Sequence, residues 1–366
     1  MSSNRSGDPR FSTSLVQSHG ISPKVFIITM FIPEQEAWNS KIDFPHHITV
    51  PGLSLLFPQV HCVQDYSICH MTTGEGEINA SNSMMALLLN PQFDLSRTYF
   101  LLNGIGGGEP SRVTTGSVTF AKYAIQVGLM YQIDSRELPV AYKDWPSGYF
   151  SYGAKDPFTY PDAVYGTEIY ELNEHLRDRA IRAAKKNEAS LQSGTPQNIL
   201  LRNMYDGPGG EPPTVMACDV TTSDNYFFGH RMSDFFMDYT SMVTNNTAYY
   251  CSSAQEENGT LESLLRMAKS HRVSFDRIIV MRSISNFVKP PPSVDDSVDF
   301  FNNFNKGGFQ LALDNLFLGG YPVVEDIVEN WDEVYAEGVK CSNYVGDIFG
   351  SLGGTPNFGK HNYTIH

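Results

Sequence analysis

Two short turns gather small and acidic residues at places where a ligand could come close to the backbone. Gly74-Glu-Gly76 and Gly104-Ile-Gly106 each follow an apolar run that reads as a strand. Glycine there serves either a bound ligand or tight packing of the strand against the next helix. Neither turn completes the Gly-x-Gly-x-x-Gly pattern of a dinucleotide site, and Gly107-Gly108 runs into Glu109-Pro110 instead of a helix start, so NAD is not expected and no cofactor is assigned. The chain holds neither a Gly-x-Ser-x-Gly elbow nor a Gly-Lys-Ser/Thr turn, which removes serine-hydrolase and P-loop chemistry. His61-Cys62 and Cys69-His70 form a mirrored pair that invites comparison with zinc. Paired zinc ligands usually have two or more residues between them, and adjacent side chains on a strand point to opposite faces, so these four read as strand and core positions with no metal.

The elements that must position such turns follow from apolar runs. Residues 24–30 are rich in β-branched side chains and stop at Pro33, as a buried parallel strand would. Runs at 66–71, 99–102, 214–218 and 277–281 repeat the pattern, each before a polar or glycine-bearing turn. Residues 167–192 read as the clearest amphipathic helix, with Ile169, Leu172, Leu176, Ala180 and Ala183 on one side. Strands alternating with helices predict an α/β fold, a single three-layer domain with a mixed, mostly parallel sheet flanked by helices. Ligands of such sheets sit beyond the carboxyl ends of the strands, where these turns fall. Residues 1–22 read as a flexible tail and 23–366 as the domain, with a Pro-, Gly- and Tyr-rich surface insertion at 137–165.

Composition narrows the partners. With 41% apolar residues and 12% aromatics among 366, the chain is globular. A formal net charge of −14 repels phosphate backbones and anionic lipid, and the one basic cluster, Arg177 to Lys186, is interleaved with Glu171, Glu174 and Asp178 as a solvated helix face, so no nucleic acid is expected. No apolar stretch approaches the roughly 20 residues of a membrane span. The polar N-terminus lacks a signal-peptide core, which points to the cytoplasm, or to secretion if a leader was removed. Five irregularly spaced cysteines suit reduced thiols better than a disulfide scaffold. The glycosylation triplets, at Asn79 and Asn258 among others, fall partly in the candidate turns and read as chance.

The order of the turns says more than any one of them. A strand ends near Glu34-Gln-Glu36; then come Thr73-Gly-Glu-Gly-Glu-Ile-Asn-Ala-Ser81, Asn103-Gly-Ile-Gly-Gly-Gly108, Thr222-Ser-Asp-Asn-Tyr-Phe227, Gln255-Glu-Glu-Asn-Gly259 and Arg282-Ser-Ile-Ser-Asn286. This succession, over residues 24–350, resembles the nucleoside phosphorylase and nucleosidase superfamily, and more closely its branch called purine nucleoside permeases. The resemblance implies a purine nucleoside as ligand and cleavage of its N-glycosidic bond. Gln255-Glu256 falls where the superfamily has Met-Glu, so Glu256 is expected to hold the ribose hydroxyls, unless it is a helix-start carboxylate favoured by the dipole. Tyr226 matches an aromatic that stacks on the base. Ser285-Asn286 matches a pair that hydrogen-bonds purine N7 as the base departs, with loop capping as the plainer alternative.

The attacking group is read from two turns. Phosphorylases of the superfamily carry an Arg before, and a Ser within, the turn that here is Leu102-Asn-Gly-Ile105, and neither is present. The turn resembles that of the hydrolytic members, which makes Asn103, Gly104 and Gly106 expected substrate contacts beside Tyr226, Gln255 and Ser285. In those members the first strand ends in a glutamate that positions water; Glu36 falls there, with Glu34 as the alternative. Catalysis is therefore expected from Glu36, Glu256 and Asn286, with hydrolysis favoured over phosphorolysis and over a non-catalytic nucleoside-binding or transport-accessory role. Relatives commonly assemble so that neighbours complete each other's pockets, which implies a homo-oligomer.

Overall fold

The computed structural model describes residues 20–142, 147–156, 159–295, 297–303 and 305–360. Most of the expected tail therefore lies outside the described residues, as does part of the 137–165 insertion.

The strand Val25–Thr29 is buried along its whole length. It pairs in parallel with Ile68–Thr72 on one edge and with Tyr99–Gly108 on the other. Its alternating side chains divide the core. Phe26 and Ile28 pack with Met84, Leu87, Leu261 and Leu264 on one face of the sheet, whereas Val25 and Ile27 pack with Trp38, Leu176, Leu316 and Val323 on the other. Helices Glu77–Leu89 and Glu257–Lys269 cover the first face, and Ile32–Asn39, Glu174–Lys185 and Phe309–Glu329 the second. A strand buried on both faces needs the unbroken apolar run seen in the sequence. The result is the expected three-layer α/β arrangement around a mixed sheet.

Along the main strand order the outermost pairs are antiparallel. Toward one edge Ile68–Thr72 continues antiparallel into Gln59–Cys62 and then His46–Thr49. Toward the other, Tyr123–Gln126, Ile169–Glu171 and Gly346–Asp347 also run antiparallel. The strands Tyr99–Gly108 and Ile278–Phe287 are parallel partners from Phe100 to Gly108, with a bulge between Ile284 and Asn286. On its opposite edge, Tyr99–Gly108 meets Val25–Thr29 only as far as Leu102, and then Tyr250–Ala254 only at Gly107 and Gly108. Residues 103–106 lie in the gap between those two partners. The strands diverge there, and the cavity described below opens there.

Two expectations are corrected. The helix expected over 167–192 is a strand, Ile169–Glu171, followed by a helix that starts only at Glu174. The Asn173 side chain accepts the Leu176 N–H at 3.2 Å and caps that helix. Ile169 and Leu172 therefore pack as sheet residues in clusters separate from Leu176, Ala180 and Ala183. The cysteines are also not all reduced thiols: Cys62 is bonded to Cys69 and Cys218 to Cys251, leaving Cys341 free and exposed. Cys62 and Cys69 stand directly opposite each other on antiparallel strands, with Cα atoms 4.1 Å apart. Irregular spacing hid both pairs because linear separation reports neither the strand register that brings Cys62 to Cys69 nor the pairing of Asp219–Thr222 with Tyr250–Ala254 that brings Cys218 beside Cys251.

Candidate active site

A cavity of about 620 Å³ opens where the strands diverge. Its size suits a small molecule. Glu34 enters it from the first turn of helix Ile32–Asn39, directly after the strand Val25–Thr29. Its Oε2 accepts the Met30 N–H at 2.8 Å and its Oε1 the Ile105 N–H at 2.7 Å. The Ile105 carbonyl accepts from Arg282 Nη1 at 2.8 Å. Backbone groups left unpaired by the parting strands are thus taken up by one carboxylate and one guanidinium.

Arg282 lies on the long strand Ile278–Phe287 and is 3% exposed. Its Nη2 donates to Glu256 Oε2 at 2.9 Å and its Nε to Glu257 Oε1. Glu256 Oε1 also accepts the Gly76 N–H at 3.0 Å, which ties the turn before helix Glu77–Leu89 to the site. Glu75 and Glu256 raise the negative charge further, and the carboxyl of Glu75 is pushed up by partial burial and by Glu256. One cation cannot neutralise this group. Burial, opposed by Arg282 and the backbone N–H bonds, lifts the Glu34 carboxyl to about 8. Glu257 is likewise raised, first by burial, and one of its oxygens, Oε2, has no hydrogen-bond partner.

The far end of the cavity is uncharged. Asn286 and Ser285 follow Arg282 along the same strand, and Ser285 Oγ donates to Asn286 Oδ1 at 2.8 Å. Tyr226 stands at the mouth, 55% exposed, edge-on to Phe301 with ring centroids 5.6 Å apart. Phe31 and Phe309 add a second apolar wall.

The structure brings together Glu256, Asn286, Gly106, Tyr226, Gln255 and Ser285 as cavity-lining residues. Glu36 is not among them. Two positions along a helix turn a side chain roughly to the opposite side, so Glu36 faces solvent where Glu34, 1% exposed, faces in. Buried Trp38, four residues after Glu34, marks that inner face and was the signal available in the sequence. Asn103 is also displaced from its expected contact: its Oδ1 accepts from Trp38 Nε1 at 2.8 Å, and it does not line the cavity. Gly104 sits behind the lining, where a Cβ would stand 2.5 Å from Arg282 Nη1 and 2.9 Å from Glu34 Oε1. Gly104→Ala is therefore expected to push the guanidinium off the Ile105 carbonyl, destabilise the fold by about 1–3 kcal/mol and disturb ligand binding. Thermal melting and ligand titration of the variant check this, and wild-type values in both would show that the pair can shift without loss. Arg282 itself carried no assigned role from the sequence, although an arginine between Met281 and a continuing strand demands buried partners. The Asn258 triplet is buried, its amide donating to the Thr167 carbonyl at 2.6 Å, so it is closed to glycosylation.

A family model described as purine nucleoside permease matches residues 22–340. The chain belongs to the purine nucleoside permease family. A purine nucleoside permease of Candida albicans is 51% identical over 344 residues, covering 93% of this chain and 84% of that protein. A probable purine nucleoside permease of Schizosaccharomyces pombe is 37% identical over 318 residues, 84% of this chain and 90% of its own length. Among solved structures, a 5′-methylthioadenosine/S-adenosylhomocysteine nucleosidase of Neisseria meningitidis aligns with a TM-score of 0.47 at 12% identity, over 84% of this chain and 98% of its own. The futalosine hydrolase of Helicobacter pylori aligns with a TM-score of 0.48 at 12% identity, over 84% and 98%. No helix among the described residues is long and apolar enough to cross a membrane.

Proposed function

We propose that this member of the purine nucleoside permease family hydrolyses the N-glycosidic bond of purine nucleosides to free base and ribose. The observation that carries the reading is the buried constellation of Glu34, Arg282 and Glu256 at one end of a nucleoside-sized cavity whose other end is the uncharged Ser285-Asn286 pair. Arg282 and the Gly76 N–H fix the Glu256 carboxylate, which still has lone-pair capacity for the two ribose hydroxyls and for the positive charge that develops on the sugar. Ionised Glu34 holds the attacking water and takes its proton. The Asn286 amide donates to the departing base, and Tyr226 stacks on it.

Water is favoured over phosphate as nucleophile on electrostatic grounds. Arg282 is the one cationic side chain lining the cavity among the described residues, and Glu256 and Glu257 already engage it. A phosphate ion would meet the carboxylate of Glu256, with Glu75 beside it, and no cation to spare. The test is incubation of the purified protein with inosine, adenosine and guanosine, with and without phosphate, identifying the sugar released. Free ribose without phosphate is expected; strictly phosphate-dependent ribose 1-phosphate would make the protein a phosphorylase instead.

The names of the curated relatives favour a second reading, a non-catalytic nucleoside-binding component of uptake. Binding of a nucleoside without cleavage would establish it. The two disulfides also favour an oxidising compartment over the cytoplasm expected from the N-terminus. Alkylation of native protein prepared without reductant is expected to mark Cys341 alone among the five cysteines; marking of all five would restore the cytoplasmic assignment.

A further inference from the structure

We propose that the cavity favours ribosides whose base carries a fixed positive charge, such as N-ribosylpyridinium or N7-alkylated purine ribosides, over neutral purine nucleosides. This rests on the hydrolase reading above. It comes from the uneven charge along the strand Ile278–Phe287. At Arg282, the carboxylates of Glu34, Glu256 and Glu257 share one guanidinium, and Glu75 adds its charge beside Glu256. Three register positions on, since Arg282 faces Gly104 and Asn286 faces Gly107 across the bulge, or about 10 Å at ~3.3 Å per residue, Ser285 and Asn286 form a neutral network. Ser285 Oγ donates to Asn286 Oδ1 at 2.8 Å, and Asn286 Nδ2 donates to the Phe287 carbonyl at 3.2 Å. The segment bearing Tyr226 is held at this end by the Gly229 N–H on the Val288 carbonyl, 2.9 Å. The carboxyls that line the cavity among the described residues are those of Glu34, Glu75 and Glu256.

A neutral purine leaves as an anion, which needs a proton or strong hydrogen bonds, and here one amide is the help available. A cationic base needs neither. When its C1′–N bond breaks, both electrons go to nitrogen and cancel the charge, so the base leaves neutral. The positive charge passes to the sugar, that is, from the neutral end of the cavity to the end held by carboxylates. That migration is stabilised in the transition state more than in the bound substrate, which is the condition for acceleration. The water oxygen then bonds to C1′, its proton passes to ionised Glu34 and on to solvent, and the products are ribose, neutral base and one proton.

The experiment compares kcat/KM of the purified protein for 1-ribosylnicotinamide, N7-methylguanosine and guanosine at a pH where both charged bases stay cationic. At least one cationic riboside is expected to exceed guanosine tenfold or more. In Asn286→Ala the cationic-to-neutral ratio should widen further, because the lost donor assists the neutral leaving group, and in Asn286→Asp it should narrow as an acid is supplied. Guanosine cleaved as fast as or faster than both cationic ribosides would overturn the inference while leaving the hydrolase reading intact. Cleavage of none of the three would end the hydrolase reading, and the inference with it.

Discussion

Glu34→Gln is expected to lower kcat by about 10²–10⁴, the range supplied by a positioned general base, while Glu36→Gln stays within twofold of wild type. The two residues lie two positions apart on one helix, yet one is buried against Arg282 and the Ile105 N–H and the other faces solvent. The wild-type rate should climb with pH through about 8, because the base works only when ionised and burial holds Glu34 protonated below that value. The variant should lose that dependence. Stability moves the other way. A carboxyl raised from 4.5 to about 8 contributes stability that is complete below pH 4.5 and is lost as pH rises through about 8. Glutamine offers one acceptor where the carboxylate meets two backbone N–H groups, a loss of about 1–3 kcal/mol. The variant should therefore melt below wild type at pH 5 and close the gap, or pass it, by pH 8.5. Melting curves at both pH values with steady-state rates check the pair of effects. A Glu34→Gln enzyme with wild-type kcat would remove Glu34 from the chemistry.

Arg282→Met should produce the largest loss of stability, about 3–5 kcal/mol at neutral pH, because it leaves buried carboxylates without their cation. Arg282 and Glu257 are both buried, and the side chains of Glu34 and Glu256 lie within the same group. Glu34 and Glu257 are already raised with Arg282 in place, and removing it raises them further. Groups raised in the folded state stabilise below their unfolded value and cease to as pH rises through the folded one. Lowering the pH toward 5 should thus return much of the lost stability, and Glu257→Gln in the same chain should return part of it at neutral pH. Denaturant unfolding across pH 5–8 is the measurement. A loss that does not change with pH would show that Arg282 acts through packing and not through charge.

The linear sequence determined the fold class, since runs such as 24–30 without a polar break can be buried only inside a sheet covered on both faces. It also picked out turns that meet in space: Glu256, Tyr226, Ser285 and Asn286 lie within the quoted turns and line one cavity. It assigned no cation, chose Glu36 over Glu34, placed Asn103 at the ligand and read the cysteines as reduced. Only the tertiary structure decided these, and the reasons are geometric. Helix phase separates Glu34 from Glu36, strand register joins Cys62 to Cys69, and Trp38 takes Asn103 out of the cavity. Arg282 gains its role from carboxylates 25 and 26 residues away in the chain, at Glu257 and Glu256. Burial, which no local pattern measures, then pushes the Glu34 carboxyl up to about 8.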